Sequence, residues 1–356
     1  MAKRHGREMV ARVDPVAGQA SASRAAGEGA PFLAADVGGT HVRLAVVRTA
    51  GASVEVQAFR KYACTDHPAL DAFIADFLGG LDGDLRGVRI DRGVIASAGY
   101  ALDDGAVITT NLPWPLSIRE TRDRLGFADL RLVNDFEAVA YAAATLPAAE
   151  TARIAGPDQA AAPGPVLVLG PGTGLGAAVW LPLGKRGHVL ATEAGQAALA
   201  AGNELELALL ALLLKRQPYV SIEHFVSGPG IATLYRTLCE LRGVAPALAD
   251  PSRITAAAQD GGDPLAREAL EVFCGVLGSA VGDMALLYGA QGGIRLAGGF
   301  LPQIREFLVN SSFVARYLNK GAMRAALERI PVRLVEHGQL GVVGAANWYL
   351  ERTDGD

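Results

Sequence analysis

Two glycine-rich turns, each between two apolar runs, constrain this chain more than any other feature of its sequence. The first lies in FLAADVGGTHVRLAVV, residues 32–47, and the second in VLVLGPGTGLGAAVW, residues 166–180. Short apolar and β-branched runs on both sides of each turn predict two strand–turn–strand hairpins. Because the pattern returns in the second half of the chain, we expect two related halves.

The rest of the chain alternates between predicted strands and helices, which is typical of α/β proteins. Predicted strands are 32–36, 42–47, 54–59, 94–98, 130–133 and 294–297, and predicted helices are 69–78, 136–144, 203–215, 264–288 and 340–349. Asp263 and Pro264 fit the N-cap and the first position of the long helix. Residues 155–165, rich in Pro, Gly and Ala, predict an exposed loop at the start of the second half.

Length and charge narrow the range of functions. The chain has 356 residues, which suits two domains better than one core. Its 33 Lys and Arg against 37 Asp and Glu give a net charge of -4, so it has no general attraction to nucleic acid or anionic membranes. No run of about eighteen apolar residues free of charge predicts a membrane span. We therefore expect a small-molecule ligand, with no nucleic-acid or membrane partner.

The cysteines and the N-terminal residues carry weaker information. Cys64, Cys239 and Cys274 are far apart in sequence, so they predict neither a disulfide framework nor a zinc cluster, and a cytoplasmic location fits. Residues 1–30 are rich in Ala, Gly and Ser and lack the apolar segment of a secretory signal, which predicts a disordered extension. An organellar transit peptide is the alternative, and Glu8 and Asp14 count against it.

The glycine turns differ from the common nucleotide-binding loops. No Gly-x-x-x-x-Gly-Lys-Ser/Thr sequence of a P-loop is present. GPGTGLGAA imitates a dinucleotide fingerprint, but that fingerprint needs a helix directly after it, and Trp180 and Pro182 follow within a few residues. Two interpretations remain: plain hairpin turns, or turns whose bare N–H groups bind an anion, with Thr40 and Thr173 adding hydroxyl donors. In the second interpretation, Asp36 fits a Mg²⁺ ion held through water.

The stretch VNDFEAVAYAA places Asn134 and Asp135 between a predicted strand and a predicted helix. Asn and Asp are favoured helix N-caps, so this pair has a structural interpretation. A catalytic base at the end of a rigid element would occupy the same position. The two interpretations are compatible.

Taken together, these motifs resemble the bacterial glucokinases of the hexokinase, heat-shock and actin fold, in the group without a zinc motif. The resemblance covers about residues 31 to 350 in the family's order. The matching motifs are Asp36-Val37-Gly38-Gly39-Thr40 with Arg43, Thr110-Asn111 with Trp114, Asn134-Asp135-Phe136, residues 170–176, Glu193 with Gly195, Glu223 followed by residues 227–230, and Ala297-Gly298-Gly299.

The resemblance implies an α/β, two-domain, actin-like (ribonuclease H-like) ATPase fold with a cleft between a small domain, residues 31–145 plus 337–356, and a large domain, residues 146–336. It also implies transfer of the γ-phosphoryl group of ATP, with Mg²⁺, to the 6-hydroxyl of glucose, with Asp135 as general base. The other implied roles are sugar binding by Asn134, Asp135, Glu193, Gln196 and Glu223, phosphate binding by Gly38, Gly39, Thr40, Gly172, Thr173 and Gly174, and adenosine contact by Gly298 and Gly299.

One segment departs from the family pattern. Glu193-Ala194-Gly195-Gln196 replaces Glu-Gly-Gly-His, and QAALAA replaces HVDFAP. Gln196 can donate and accept hydrogen bonds but carries no charge, which leaves the identity of the sugar open. A sugar-sensing or regulatory protein without turnover is the alternative, although the retained Asp135 favours an enzyme. ADP or polyphosphate as donor also stays open, and the resemblance suggests a homodimer.

Overall fold

The computed structural model describes residues 29–51, 53–102, 104–108, 112–160, 163–183, 187–336 and 338–353. Most of the predicted extension, residues 1–28, lies outside the described residues, as do Thr110 and Asn111 of the quoted motif. Two compact units divide the chain: unit 1 contains the described residues up to Ala138 and from Gly341 onward, and unit 2 contains Val139–Leu340. The predicted domain limits lie between residues 145 and 146 and between 336 and 337.

The strands follow the predicted hairpins closely. In chain order they are β1 (Phe32–Val37), β2 (His41–Ala50), β3 (Ser53–Ala63), β4 (Arg92–Ser97), β5 (Tyr100–Ala101), β6 (Ala106–Ile108), β7 (Leu116–Ser117), β8 (Asp129–Asn134), β9 (Thr151–Ala155), β10 (Val166–Pro171), β11 (Leu175–Leu181), β12 (His188–Thr192), β13 (Gly293–Leu296) and β14 (Val332–Val335).

The α-helices include all those predicted. In chain order they are α1 (Leu70–Gly79), α2 (Ile118–Leu125), α3 (Asp135–Ala143), α4 (Glu204–Leu214), α5 (Gly228–Leu241), α6 (Pro251–Asp260), α7 (Pro264–Leu287), α8 (Arg305–Asn310), α9 (Phe313–Tyr317), α10 (Arg324–Leu327) and α11 (Leu340–Thr353).

Unit 1 contains a five-stranded mixed sheet in the order β3-β2-β1-β4-β8. β1 pairs antiparallel with β2 and parallel with β4, and β4 pairs parallel with β8. Leu33, Ile95 and Phe73 of α1 lie in one buried core. Since β1, β4 and β8 are parallel, the first glycine turn and the Asn134-Asp135 pair follow strand ends at the same edge of the sheet.

Unit 2 repeats this topology in the order β12-β11-β10-β13-β14, with β9 added at the edge. β10 pairs antiparallel with β11 and parallel with β13, as β1 does with β2 and β4. The expected relation between the two halves is therefore a repeat of topology. β11 also begins directly after the second glycine turn, at Leu175, so no helix follows it and the dinucleotide interpretation is excluded.

The caps that limit the long helices are readable from the sequence. The Asp263 carboxylate accepts hydrogen bonds from the N–H groups of Leu265 and Ala266 at 2.8 and 3.1 Å, which confirms it as the N-cap of α7. α7 has the length and apolar character of a membrane span, but 72% of its most apolar window is buried, as in a core helix. Its residues, including Phe273 and Leu277, lie in the apolar core of unit 2.

Close packing of α11 on α3 within unit 1 gives a stability prediction. A Cβ added at Gly344 of α11 would lie 1.6 Å from the carbonyl oxygen of Ala138. We expect Gly344→Ala to lower the free energy of unfolding by about 1–3 kcal/mol, the usual cost of overpacking. Gly79→Ala is the matched control, because Gly79 lies at the exposed end of α1 with no atom within 4 Å of the added Cβ. Denaturant unfolding of both variants checks the prediction, and equal stability would contradict it.

Candidate active site

The first glycine turn is held by unit 1 through its carbonyl groups. The Gly38 N–H donates to the His41 carbonyl at 3.0 Å, closing the hairpin. The Cys64 thiol donates to the Gly38 carbonyl and the Cys64 N–H to the Thr40 carbonyl, both at 3.0 Å. Burial raises the pKa of this thiol, so it stays a protonated donor at neutral pH. No protein acceptor among the described residues takes the Thr40 N–H, which leaves it available to a ligand.

Asp36 lies one residue before the end of β1, beside this turn. Arg43, its register partner on β2, donates from Nη1 to Asp36 Oδ2 at 2.9 Å. Burial raises the pKa of Asp36, and Arg43 opposes this rise. A Cβ at Gly341 would lie 2.5 Å from Asp36 Cγ, so the carboxyl group packs on the first turn of α11. The positive end of that helix also favours the ionised form.

Asn134 and Asp135 begin α3 at the end of β8. Asn134 Oδ1 accepts from the N–H groups of Phe136 and Glu137 at 2.9 and 3.0 Å, so the N-cap hypothesis is confirmed at Asn134. Asp135 Oδ1 accepts from the Phe136 N–H at 2.8 Å. The helix end thereby fixes the carboxylate of Asp135. Strands are about 5 Å apart, so this pair lies about 10 Å across the sheet edge from the end of β1.

The second glycine turn is held in unit 2. The Gly172 N–H donates to the Gly174 carbonyl at 2.7 Å, and the Gly228 N–H at the start of α5 donates to the Gly172 carbonyl at 2.8 Å. Thr173 is exposed at the tip, and its N–H has no protein acceptor among the described residues. Both turns therefore have carbonyl groups fixed by the protein and threonine N–H groups open to a ligand.

Glu223 touches the second turn directly. Its Oε2 accepts from the Leu175 N–H at 2.7 Å, and its Oε1 accepts from Gln196 Nε2 at 3.0 Å. The Tyr219 hydroxyl donates to the Gln196 carbonyl. The structure thus brings Glu223, Gln196 and the turn together in unit 2. Glu193 is exposed and begins the short 3-10 turn that carries Gln196.

Hydrogen bonds on both sides of Glu223 position it. The 3-10 turn Ile222–His224 begins after Ser221, which is fully buried and whose N–H donates to His224 Nδ1 at 3.1 Å. The Ile222 N–H donates to the Ala197 carbonyl at 2.9 Å, which fastens the segment beside Gln196. Ser227 Oγ donates to the Glu223 carbonyl at 2.8 Å. Both ends of the turn are therefore fixed.

Gly298 and Gly299 follow β13, the parallel neighbour of β10. Gly298 has φ +104°, and a Cβ there would lie 2.9 Å from the Pro171 carbonyl oxygen. The backbone conformation and the close packing both require glycine at this position. The turn consequently lies against the strand end that leads into the second glycine turn.

Gly38 and Gly172 lack this structural reason to be glycine. Neither has a φ in the left-handed region, and an added Cβ would lie 3.8 Å from the nearest protein atom at Gly38 and meet none within 4 Å at Gly172. The protein's own packing therefore tolerates a larger side chain at both. A ligand that approaches the backbone closely supplies a reason that the protein does not.

The positions of the cysteines and acidic residues bear on disulfide formation and on metal binding. Cys64, Cys239 and Cys274 are buried free thiols. No group of three or more His, Cys, Asp or Glu side chains in the described residues could hold a metal ion by itself. Any divalent cation would therefore need ligand or water oxygens in addition to Asp36.

Sequence reasoning missed the groups that hold the turns. Cys64 was noted only for its distance from other cysteines, and a lone cysteine carries no sequence signal for a bond to Gly38. The Leu175 N–H and Tyr219 act through contacts between residues far apart in the chain. Leu175 lay within the motif 170–176, but its bond to Glu223 was not foreseen, and Tyr219 lies outside the quoted motifs. Gly228 lay within a motif, although its bond to Gly172 was not foreseen.

Comparison with known proteins agrees with the motifs. The Glucokinase family model matches residues 33–352. A glucokinase-like protein from Xylella fastidiosa is 53% identical over 324 residues, covering 90% of this chain and 95% of that protein. A glucokinase from Nitrobacter hamburgensis is 39% identical over 318 residues, covering 89% and 96%. The crystal structure of a glucokinase from an Antarctic psychrotroph superimposes with a TM-score of 0.78 at 35% identity, covering 90% and 98%.

The repeated topology and these comparisons define a sugar kinase with the α/β, two-domain, actin-like ATPase fold. The fold predicted from the motifs is confirmed. The chain belongs to the glucokinase family.

Gly172 and Gly298 distinguish a glycine that a ligand would require from a glycine that the fold requires. We expect Gly172→Ala to leave the free energy of unfolding within about 0.5 kcal/mol, as for an exposed site, while weakening nucleoside triphosphate binding. Gly298→Ala should cost about 1–3 kcal/mol of stability, because its φ is unfavourable for alanine. Thermal unfolding and nucleotide titration distinguish the two. Unchanged nucleotide affinity in folded Gly172→Ala would show that the turn does not meet the nucleotide.

Proposed function

We propose that this protein is an ATP-dependent hexose kinase that transfers the γ-phosphoryl group to the 6-hydroxyl of glucose, giving glucose 6-phosphate. The observation that carries the proposal is the pair of glycine turns at equivalent positions of the two units. Each has its carbonyl groups held by the protein, and neither Gly38 nor Gly172 is required by packing. Such turns suit the phosphates of a nucleotide. Free buried thiols support a reducing location such as the cytoplasm.

In the proposed reaction, the Asp135 carboxylate accepts the proton of the sugar 6-hydroxyl as that oxygen forms a bond to the γ-phosphorus. The bond between the γ-phosphorus and the bridging oxygen breaks, and ADP leaves with the electron pair. In phosphoryl transfer, the protein mainly positions the reacting groups and stabilises the charge on the phosphate oxygens. The N–H groups of Thr40 and Thr173 would stabilise the phosphate oxygens, and the start of α3 would hold Asp135 at a fixed angle.

Asp36 fits a magnesium ion that is bound mostly by phosphate and water oxygens. Mg²⁺ in nucleotide sites takes one or two carboxylates and keeps several waters. Asp36 is a single carboxylate beside the turn, and only its Oδ2 is bonded by Arg43. When bound, the ion would neutralise charge on the phosphates. Burial raises the pKa of Asp36, and Arg43 opposes this rise in part.

Sugar binding is assigned to carboxylate and amide groups, which bind hydroxyls that both donate and accept. Glu193, Gln196 and Glu223 belong to unit 2, and Asn134 and Asp135 to unit 1. Nε2 of Gln196 donates one of its two hydrogens to Glu223, so its second N–H and its amide oxygen can bind sugar hydroxyls. Gln196 leaves the identity of the sugar open, so other hexoses are tested beside glucose, which is the first sugar to test because of the family.

A sugar sensor without turnover is the second candidate, and Gln196 in place of histidine is the observation that favours it. A coupled assay of ADP release over a panel of hexoses, with Mg²⁺ and ATP, separates the two. We expect turnover, with glucose among the preferred sugars. Saturable glucose binding without ADP release would support the sensor and contradict the kinase. Measuring the formation of sugar phosphate with ADP or polyphosphate in place of ATP identifies the donor.

Asp135 gives the mechanistic test. Asp135→Ala should lower kcat by roughly 10²–10⁴, the usual contribution of a positioned general base. Asp135→Asn keeps an oxygen for the Phe136 N–H but loses the basic carboxylate, so it should lose as much kcat while retaining the stability of the start of α3. Steady-state kinetics with thermal unfolding checks both. A parental kcat in either variant would remove Asp135 from the chemical step.

A further inference from the structure

Glu223 differs from the other proposed sugar ligands because it is bonded to the second glycine turn itself. Its Oε2 accepts the Leu175 N–H, the first donor after Gly174, at 2.7 Å. A Cβ at Gly174 would lie 2.5 Å from the same oxygen, so the carboxylate packs directly on the turn. The Glu193 side chain has no described bond to the turn.

We propose that Glu223 is a positioning residue for the phosphate-binding turn as well as a sugar ligand, so that one carboxylate couples the sugar site to the nucleotide site. The ligands named in this inference rest on the proposed function. The carboxylate has one oxygen on the turn and the other on Gln196. A sugar that binds Glu223 therefore acts on the group that fixes the turn.

The Leu175 N–H makes this coupling strong. Leu175 is 5% exposed, so its N–H depends on a protein acceptor. A carboxylate acceptor makes a short, charge-assisted bond that fixes the direction of the chain after Gly174. If the acceptor is removed, the turn loses the bond that holds its second half, while Gly228 still holds the Gly172 carbonyl. Linkage requires the coupling to act equally in both directions.

Two substitutions of Glu223 separate its two roles. In Glu223→Gln, the amide oxygen still accepts from Leu175, and the Gln196 amide can rotate to accept from the new NH₂ group. This variant should bind sugar more weakly but bind nucleotide nearly as the parent does. In Glu223→Ala, the Leu175 N–H loses its acceptor, and nucleotide affinity should fall roughly 5- to 150-fold, as for one unsatisfied buried donor.

Glu193→Ala is the matched control, since it removes another proposed sugar carboxylate of unit 2 without a bond to the turn. We expect it to weaken sugar binding and leave nucleotide binding unchanged. The measurement is calorimetric titration with AMP-PNP, first without sugar and then with saturating glucose. In the parent, glucose should raise AMP-PNP affinity, and this effect should disappear in Glu223→Ala.

The sugar-free titration tests the inference even if glucose proves to be the wrong substrate. Equal AMP-PNP affinity for the Gln, Ala and parental proteins without sugar would overturn the positioning role. An equal loss of AMP-PNP affinity in Glu223→Ala and Glu193→Ala would overturn the positioning role as well. The loss would then come from removing a negative charge and not from removing the bond to Leu175. If Glu223→Ala does not fold, Glu223→Asp replaces it, since the shorter side chain cannot reach both Leu175 and Gln196. Failure of the proposed function would instead appear as absent ADP release by the parent.

Discussion

Both glycine turns are fixed by contacts to their backbone carbonyl groups, and the Thr40 and Thr173 N–H groups at the tips of the turns are left for a ligand. In unit 1 the thiol and N–H of Cys64 hold the Gly38 and Thr40 carbonyls. In unit 2 the Gly228 N–H holds the Gly172 carbonyl, and Glu223 holds the following Leu175 N–H. Each turn is fixed by a different set of groups, although the strands that lead into them are equivalent. The two units share a strand topology, but the groups that fix their glycine turns differ.

Local sequence signals predicted most of the fold because caps and strand patterns are short-range properties. Asp263 and Asn203 mark the starts of α7 and α4 through side-chain oxygens that accept the first helical N–H groups. The strands β9, β12 and β14 and the helices α5 and α6 were not predicted. β14 is only four residues long and β9 is an edge strand beside it, and such strands form through pairing with distant residues.

The candidate site was predictable only in part. Motifs located the glycine turns, Asp135 and the acidic residues, and the cap at Asn134 followed from its residue type. The Gln196–Glu223 and Glu223–Leu175 bonds join residues 27 and 48 positions apart, and no periodicity signals such contacts. Cys64 likewise reaches Gly38 across 26 positions. Long-range hydrogen bonds therefore decide how the predicted residues are held, and only the folded structure shows them.

The most direct test of the central claim is an NMR titration of the backbone amides with AMP-PNP. We expect the largest changes in amide chemical shift at residues 38–40 and 172–175, the two turns in which the Thr40 and Thr173 N–H groups would meet phosphate oxygens. Shifts confined to other residues, in a protein that binds the nucleotide, would contradict the assignment of both turns.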